Sequence, residues 1–424
     1  MRKTIIFSIL FTLGSTLLAQ DTISIEACMD KTLSNYPLMR QPELDSKSLD
    51  LTIKNLKSNY LPQLSFEASA SYQSETVSLE IDAPIPGLEF PEPPLDKYDA
   101  SLNLKQLIWD GGITAKMQHL EAIKYEMKQA GTENNLYKLK ALVQQSYFGI
   151  LVLEATAVQM KDSYEFLLSK KKSVNSAVTN GILTPDNIEA LEAELLSIEQ
   201  KIITVNADIV SAREVLYELT GDTVVITGQL APPLIQDSLL ETHTNKRPEE
   251  KIFNIEKQLA DQKINVYSSC RMPKISAFAK GAYGNPGLNM FEDKWGPYFI
   301  TGVMLQWDLY DRFKTKRKKQ MAVIEKQAVQ VKQDAFERQL NIKLSKQRAQ
   351  IIKQKKLLSN DIKIVKLRES ITRKAESRLD NGIITAVEFS EFVNKENNAK
   401  IQLKIRKLKI KDAEYGYTTL LNVN

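Results

Sequence analysis

The chain has 424 residues, 43% of them apolar and 26% charged, with a mean hydropathy of −0.29. That apolar content is low for a compact α/β enzyme of this length and suits long exposed helices. The formal net charge of +5 is too mild to imply nucleic acid. The only histidines are His119 and His243, and the sequence carries no metal-ligand cluster, nucleophile motif or glycine-rich phosphate loop, so neither an enzyme nor a cofactor is expected.

The N-terminus, "MRKTIIFSILFTLGSTLLAQD", has a basic start at Arg2 and Lys3, an apolar core from Ile5 to Leu18 and a small residue at Ala19. It reads as a secretory signal over residues 1–19. Cleavage would remove the two charges of Arg2 and Lys3 and lower the net charge from +5 to +3. No cysteine follows the cut, so a lipid-anchored start is not supported. Beyond residue 20 no uninterrupted run of 18 apolar residues occurs, and no helical membrane span is expected. Cys28 lies in a helical pattern over residues 25–59, where a small buried side chain is expected rather than a disulfide to Cys270.

Two alternating stretches come next. In "LSFEASASY", Leu64, Phe66, Ala68, Ala70 and Tyr72 alternate with Ser65, Glu67, Ser69 and Ser71. In "YDASLNLKQL", Tyr98, Ala100, Leu102 and Leu104 alternate with polar residues. Such alternation predicts strands with one apolar and one wet face. It fits the side of a soluble sandwich, or a membrane barrel with apolar residues outward. Residues 113–179 contain no proline and show apolar steps of three or four through Leu120, Ile123, Val143, Tyr147 and Ile150. A helix of that length spans roughly 100 Å and must pack along a neighbour. The stretch ends at "NGILT" (180–184), where Asn-Gly supplies a left-handed helix stop. Thr184 is expected to cap the next helix, with Pro185 at its first position.

The same order then recurs. Pro37 and Pro248, and Pro62 and Pro273, match at an offset of 211; Asp110 and Asp311, and Gly181 and Gly382, match at 201. One duplication with a ten-residue difference in the proline-rich loop between 73 and 97 explains both offsets. Copy two has a helical pattern over 248–270, less clean strands at Ile275–Tyr283 and Tyr298–Trp307, a long helix from Thr315 to Asp380, and "NGIIT" (381–385) with Thr385 as the cap. The expected division is a signal peptide at 1–19, repeat one at 20–222, a linker at 223–245 and repeat two at 246–424. "RFKTKRKK" (312–319) packs six basic residues into eight positions. Alone it reads as a patch for nucleic acid or anionic lipid.

"YLPQLSFEASASY", "LIWDGG", "QQSYFGILVLE" and "RLDNGIIT", in this order within tandem repeats, resemble the TolC-like outer membrane efflux proteins. The resemblance covers nearly the whole mature chain. It implies an α+β, mainly α fold: a homotrimer in which each protomer gives four strands to a shared 12-stranded outer membrane β-barrel. Duplicated helical hairpins then form a periplasmic α-barrel. Residues 21–35 and the linker would belong to its equatorial belt. The implied function is a passive exit duct of a tripartite efflux or type I secretion system. Its partners would be a periplasmic adaptor, an inner membrane pump of RND, ABC or MFS type, and outer membrane lipid. The tips would dock the adaptor through Gly181, Thr184, Arg378, Gly382 and Thr385, Ala177 standing where copy two has Arg378. Glu388 and Glu391, one helix face apart by three residues, would form acidic rings at a periplasmic gate that attract cations. The family's polar lock is not reproduced, because Asn187, Leu379 and Ile384 occupy the positions of its acid, tyrosine and arginine. Arg312, Lys314, Lys316 and Arg317 would sit at the membrane rim, with lysine and arginine reaching headgroups. Trp109, Trp295 and Trp307, with Tyr98, Tyr298 and Tyr310, would form aromatic girdles. The competing reading is a soluble periplasmic coiled-coil scaffold. Metal cargo has no support, since Met and His do not cluster.

Overall fold

The computed structural model describes residues 22–77, 92–234, 245–309 and 312–423. The signal peptide, most of the proline-rich loop, His243, Tyr310, Asp311 and the Arg312 side chain lie outside the described residues. The chain folds as two compact units, one made of Arg40–Thr132 and Pro248–Phe336, the other of the remaining three segments.

The first unit holds the strands. β1 (Gln63–Tyr72), β2 (Asp96–Trp109), β3 (Lys274–Asn285) and β4 (Gly296–Gln306) form one antiparallel sheet in sequence order. Helices α2 (Gln41–Ser58), α6 (Pro248–Ser269) and the first parts of α3 (Ile113–Thr179) and α7 (Arg312–Asp380) complete it. Leu120, Ile123 and Ala130 of α3 pack on Ile255, Leu259 and Val266 of α6. Polar ties flank that core: Lys128 reaches Asp45 of α2 at 3.3 Å, and Lys263 of α6 reaches Glu325 of α7 at 2.6 Å. Asp110 organises the strand-to-helix junction. Its carboxylate accepts from the Tyr60 hydroxyl at 2.8 Å and from the N–H groups of Gly112 (2.9 Å) and Thr114 (2.8 Å), which closes the start of α3.

The second unit holds α1 (Ile25–Asn35), α4 (Asp186–Thr220), the short α5 (Val224–Thr227), α8 (Ala386–Leu421) and the rest of α3 and α7. The helical pattern expected over 25–59 is broken in two. Tyr36, the residue before Pro37, is extended (φ −65°, ψ 135°), because a following proline disfavours the helical conformation, and a single 3-10 turn leads into α2. Val143, Tyr147, Ile150 and Leu151 are buried with Ile25, Cys28, Val225 and Leu230, so the N-terminal segment and the linker share one core. The Tyr147 hydroxyl lies 2.6 Å from the Ile23 carbonyl and 2.7 Å from that of Ala231, donating toward both, and accepts from the Ala231 N–H. Burial pushes its pKa up. Cys28 is 1% exposed and its thiol is pushed up to about 12, by burial first and by Asp222 and Glu26 second; both cysteines are free. One stretch of α3 is long and apolar enough to cross a membrane. The helix nevertheless carries buried stripes in three separate clusters, as a packed helix does.

Tyr147→Phe takes the hydroxyl away from the Ala231 carbonyl and N–H, while the Ile23 carbonyl keeps the Ala231 N–H at 3.3 Å, and is expected to destabilise the second unit by about 1–3 kcal/mol. Thermal unfolding followed by far-UV circular dichroism measures this; an unchanged midpoint would show that the hydroxyl bonds contribute nothing.

Candidate functional site: the hairpin tips and the amphipathic sheet

Both tips end their long helix in the same way. Gly181 (φ 72°) and Gly382 (φ 68°) take the left-handed conformation that Asn-Gly predicts. The Ile182 N–H donates to Ala177 O (2.9 Å) and the Gly181 N–H to Val178 O (3.0 Å); Ile383 to Arg378 O (2.8 Å) and Gly382 to Leu379 O (2.9 Å) repeat the pattern. These pairs are Schellman motifs, which satisfy the last helix carbonyls.

The helices leaving the tips start differently. Thr385 caps α8 through a reciprocal box: its hydroxyl accepts from the Glu388 N–H (3.3 Å), and the Glu388 carboxylate accepts from the Thr385 N–H (3.0 Å). The cap expected at Thr184 does not form. Position 187, which matches 388 at the 201-residue offset, holds asparagine, and the Asn187 side-chain amide donates to the Thr184 hydroxyl (2.9 Å), so no backbone N–H reaches it. The Asn187 carbonyl oxygen turns instead to the other hairpin and accepts from the Ala386 N–H at 2.7 Å, a buried bond. Each tip thus supplies a partner to the other. Below them Leu167, Leu191, Leu379, Ala386 and Phe389 form one apolar core, in which Leu379 is 1% exposed and Ile384 packs alongside. Lys170 adds an ion pair to Glu376 at 2.5 Å.

Gly181, Thr184, Arg378, Gly382 and Thr385 are all exposed. The two glycines are not equivalent. A side chain at Gly181 would enter open space, whereas a Cβ at Gly382 would lie 3.1 Å from Ile182 Cγ2. Glu388 and Glu391 are exposed on one face of α8, but the Glu388 carboxylate serves the cap and Glu391 lies 3.2 Å from Lys395.

The sheet separates its two faces. Pairing Ser65 with Asn103, Glu67 with Ser101 and Ser69 with Asp99 places the polar residues of β1 and β2 together. Lys280 of β3 joins that face by bonding Asp99 at 2.9 Å, and Tyr298 of β4 also donates to Asp99. The less regular alternation of copy two has a local cause: Phe278 stands on this polar face opposite Gly302, and its ring packs over the glycine. The opposite face carries Leu64, Phe66, Leu102, Leu104, Phe299 and Val303, each at least 40% exposed. Aromatic residues mark its two ends. Trp295 stacks on Tyr98 and Tyr283 (ring centroids 5.7 Å from each) at one end, and Trp109 and Trp307 are exposed at the other. From Tyr98 to Trp109 the strand rises about 36 Å, or roughly 25–28 Å of depth at a 40–45° tilt, the height of the apolar band of a membrane barrel.

The outer membrane efflux protein profile matches residues 28–222. Over that span, a little under half of the chain, the sequence is similar to the outer membrane efflux protein family. No curated protein matches the sequence. Among solved structures, the outer membrane protein VceC of Vibrio cholerae superposes with a TM-score of 0.64 at 13% identity, covering 94% of this chain and 95% of its own. The CmeC outer membrane channel of Campylobacter jejuni gives 0.63 at 14% identity, covering 100% and 93%. The open-state MtrE outer membrane channel of Neisseria gonorrhoeae gives 0.61 at 14% identity, covering 93% and 88%. The mainly α fold with four antiparallel strands is that of these channels.

Lys314, Lys316 and Arg317 are exposed on the first turns of α7, which comes directly after β4. The Asn187–Ala386 bond was beyond sequence reasoning. Its partners are 199 residues apart and its donor is a backbone group, which leaves no side-chain signal.

Asn187→Ala would leave the Ala386 N–H buried without an acceptor and is expected to cost about 1–3 kcal/mol. Gly181→Ala is expected to cost about 1–2 kcal/mol from its left-handed backbone alone, and Gly382→Ala more, because it also presses on Ile182. Unfolding midpoints of the three variants check this; equal losses at the two glycines would contradict the packing of tip on tip.

Proposed function

We propose that this protein is the passive outer membrane exit duct of a tripartite efflux or type I secretion system, assembled as a homotrimer. The observation that carries this reading is the sheet: an exposed apolar face between aromatic girdles, a wet face opposite, and two edges, β1 and β4, that are unpaired among the described residues. Four strands are too few to close on themselves, since the smallest membrane barrels have eight. Open edges in hydrocarbon leave backbone groups unsatisfied. The meander has an even number of strands, so β4 of one copy meets β1 of the next antiparallel, and three copies close a 12-stranded barrel. The serine-rich face then lines water. Outer membrane lipid meets the apolar face, and Lys314, Lys316 and Arg317 reach headgroups at the periplasmic rim.

In this assembly the exposed tips, with Gly181, Thr184, Arg378, Gly382 and Thr385, dock a periplasmic adaptor that links the duct to an inner membrane pump. Arg378 gives the second tip a charge that Ala177 does not supply at the first. Glu388 and Glu391 are the gate charges, three copies of each ringing the axis: the cap of Glu388 is to a neutral N–H and leaves its charge uncompensated, whereas Lys395 lies 3.2 Å from Glu391. The tandem duplication accounts for the matched order of helix, strand pair, long helix and return helix in both halves.

Three measurements test the proposal. The mass of the detergent-extracted complex from the outer membrane is expected to be that of three chains; a soluble periplasmic monomer would support the scaffold reading instead. Leu102→Lys, on the lipid face, is expected to lose membrane assembly at a cost of about 2–4 kcal/mol. In planar bilayers Glu388→Gln, which keeps the cap, should weaken cation selectivity more than Glu391→Gln, whose charge Lys395 already offsets. Unchanged selectivity in both variants would remove these carboxylates from the gate.

A further inference from the structure

Every lysine of the four strands stands on the wet face of the sheet. Ser71 pairs with Lys97, Gln63 with Lys105, Lys280 with Asn103 and Lys274 with Gln306, which puts the four lysines on one side. That face carries only two carboxylates, Glu67 and Asp99. Asp99 is taken by Lys280 at 2.9 Å and also accepts from Tyr298. Lys97, Lys105 and Lys274 form no ion pair among the described residues. Two of these three stand together. Lys105 and Lys274 are exposed and line one cavity of about 290 Å³ with the amide side chains of Asn59 and Gln63, at the end of the sheet where β1 and β3 begin. Asp110 also lines this cavity, where Tyr60 and the N–H groups of Gly112 and Thr114 hold its carboxylate. Its single negative charge does not balance two ammonium groups.

We propose that Lys105 and Lys274 form a basic ring inside the barrel that attracts polyvalent anions, so that the duct favours cargo bearing carboxylate, sulfate or phosphate groups. The inference rests on the exit-duct reading and adds the charge of what passes. Three copies bring six ammonium groups to the helix-proximal end of the lumen. Rings of lysine or arginine favour anions and phosphates in a pore, as carboxylate rings favour cations. Low-dielectric walls focus the field of such a ring and raise the local concentration of the opposite ion. Two plainer roles fit less well. Lysine is not needed to keep the face wet, since β1 does so with Ser65, Ser69 and Ser71 and no lysine. Contact with lipid headgroups does not fit either, because Lys105 stands on the face opposite Leu104. Glu388 and Glu391 belong to the second unit, so the basic and acidic rings act in series and each answers to its own substitution.

The test puts the full-length protein in planar bilayers at low salt, where screening is weakest, and measures block of the single-channel current by sodium tripolyphosphate. Wild-type pores should be blocked, and Lys105→Gln combined with Lys274→Gln should weaken the block by at least about tenfold. Lys105→Arg combined with Lys274→Arg keeps the charge and should keep the block. Each single glutamine variant retains half of the ring and should fall between, which reads the ring even where the double variant fails to assemble. Wild-type pores that tripolyphosphate does not block, or equal block in the wild type and the glutamine variants, would overturn the basic ring and leave the duct intact. A wild-type protein that forms no pore would overturn both.

Discussion

The structure depends on a four-stranded sheet that cannot be stable in water as it stands. One face presents Leu64, Phe66, Leu102 and Phe299 to its surroundings, and neither outer strand has a neighbour among the described residues. In a soluble protein such a face and such edges invite aggregation. In a bilayer the face becomes favourable, and only the edges remain to be satisfied. The rest of the sequence is arranged around that requirement. Polar residues occupy alternate positions facing the other way, aromatics stand where the apolar band ends, and the basic start of α7 comes directly after β4.

The tips show how a duplication can diverge without losing its frame. The backbone is shared down to the hydrogen bonds of the Schellman turns. One position then separates the copies. Glutamate at 388 folds back on its own helix cap, while asparagine at 187 reaches across to Ala386. The polar lock that the resemblance implies has no counterpart at Leu379 and Ile384, which are in or against the apolar core. Cohesion between the hairpins comes instead from that core, the Asn187 bond and the Lys170–Glu376 pair. The Asn187 bond involves no titrating group, so it does not respond to pH.

Much of this could be read from the sequence, because the signals were local. The serine alternation in β1 and the Asn-Gly stops depend on neighbouring residues alone, and both stand where expected. The helix break at Pro37 was also local, but the apolar periodicity on either side masked it. Thr184 failed as a cap because its outcome depended on the residue three positions later and on a partner in the other repeat. Signals that run along the chain are legible; contacts that cross between repeats are not.

The central claim is that the sheet lies in a membrane with one face to lipid and one to water. Spin labels placed singly along β2 from position 98 to 107 in reconstituted protein, with collision rates measured for oxygen and for a water-soluble nickel chelate, test it most directly. The account predicts a period of two, with oxygen favoured at 100, 102 and 104 and the nickel chelate at 99, 101 and 103. Equal access of the nickel chelate to both sets of positions would contradict it.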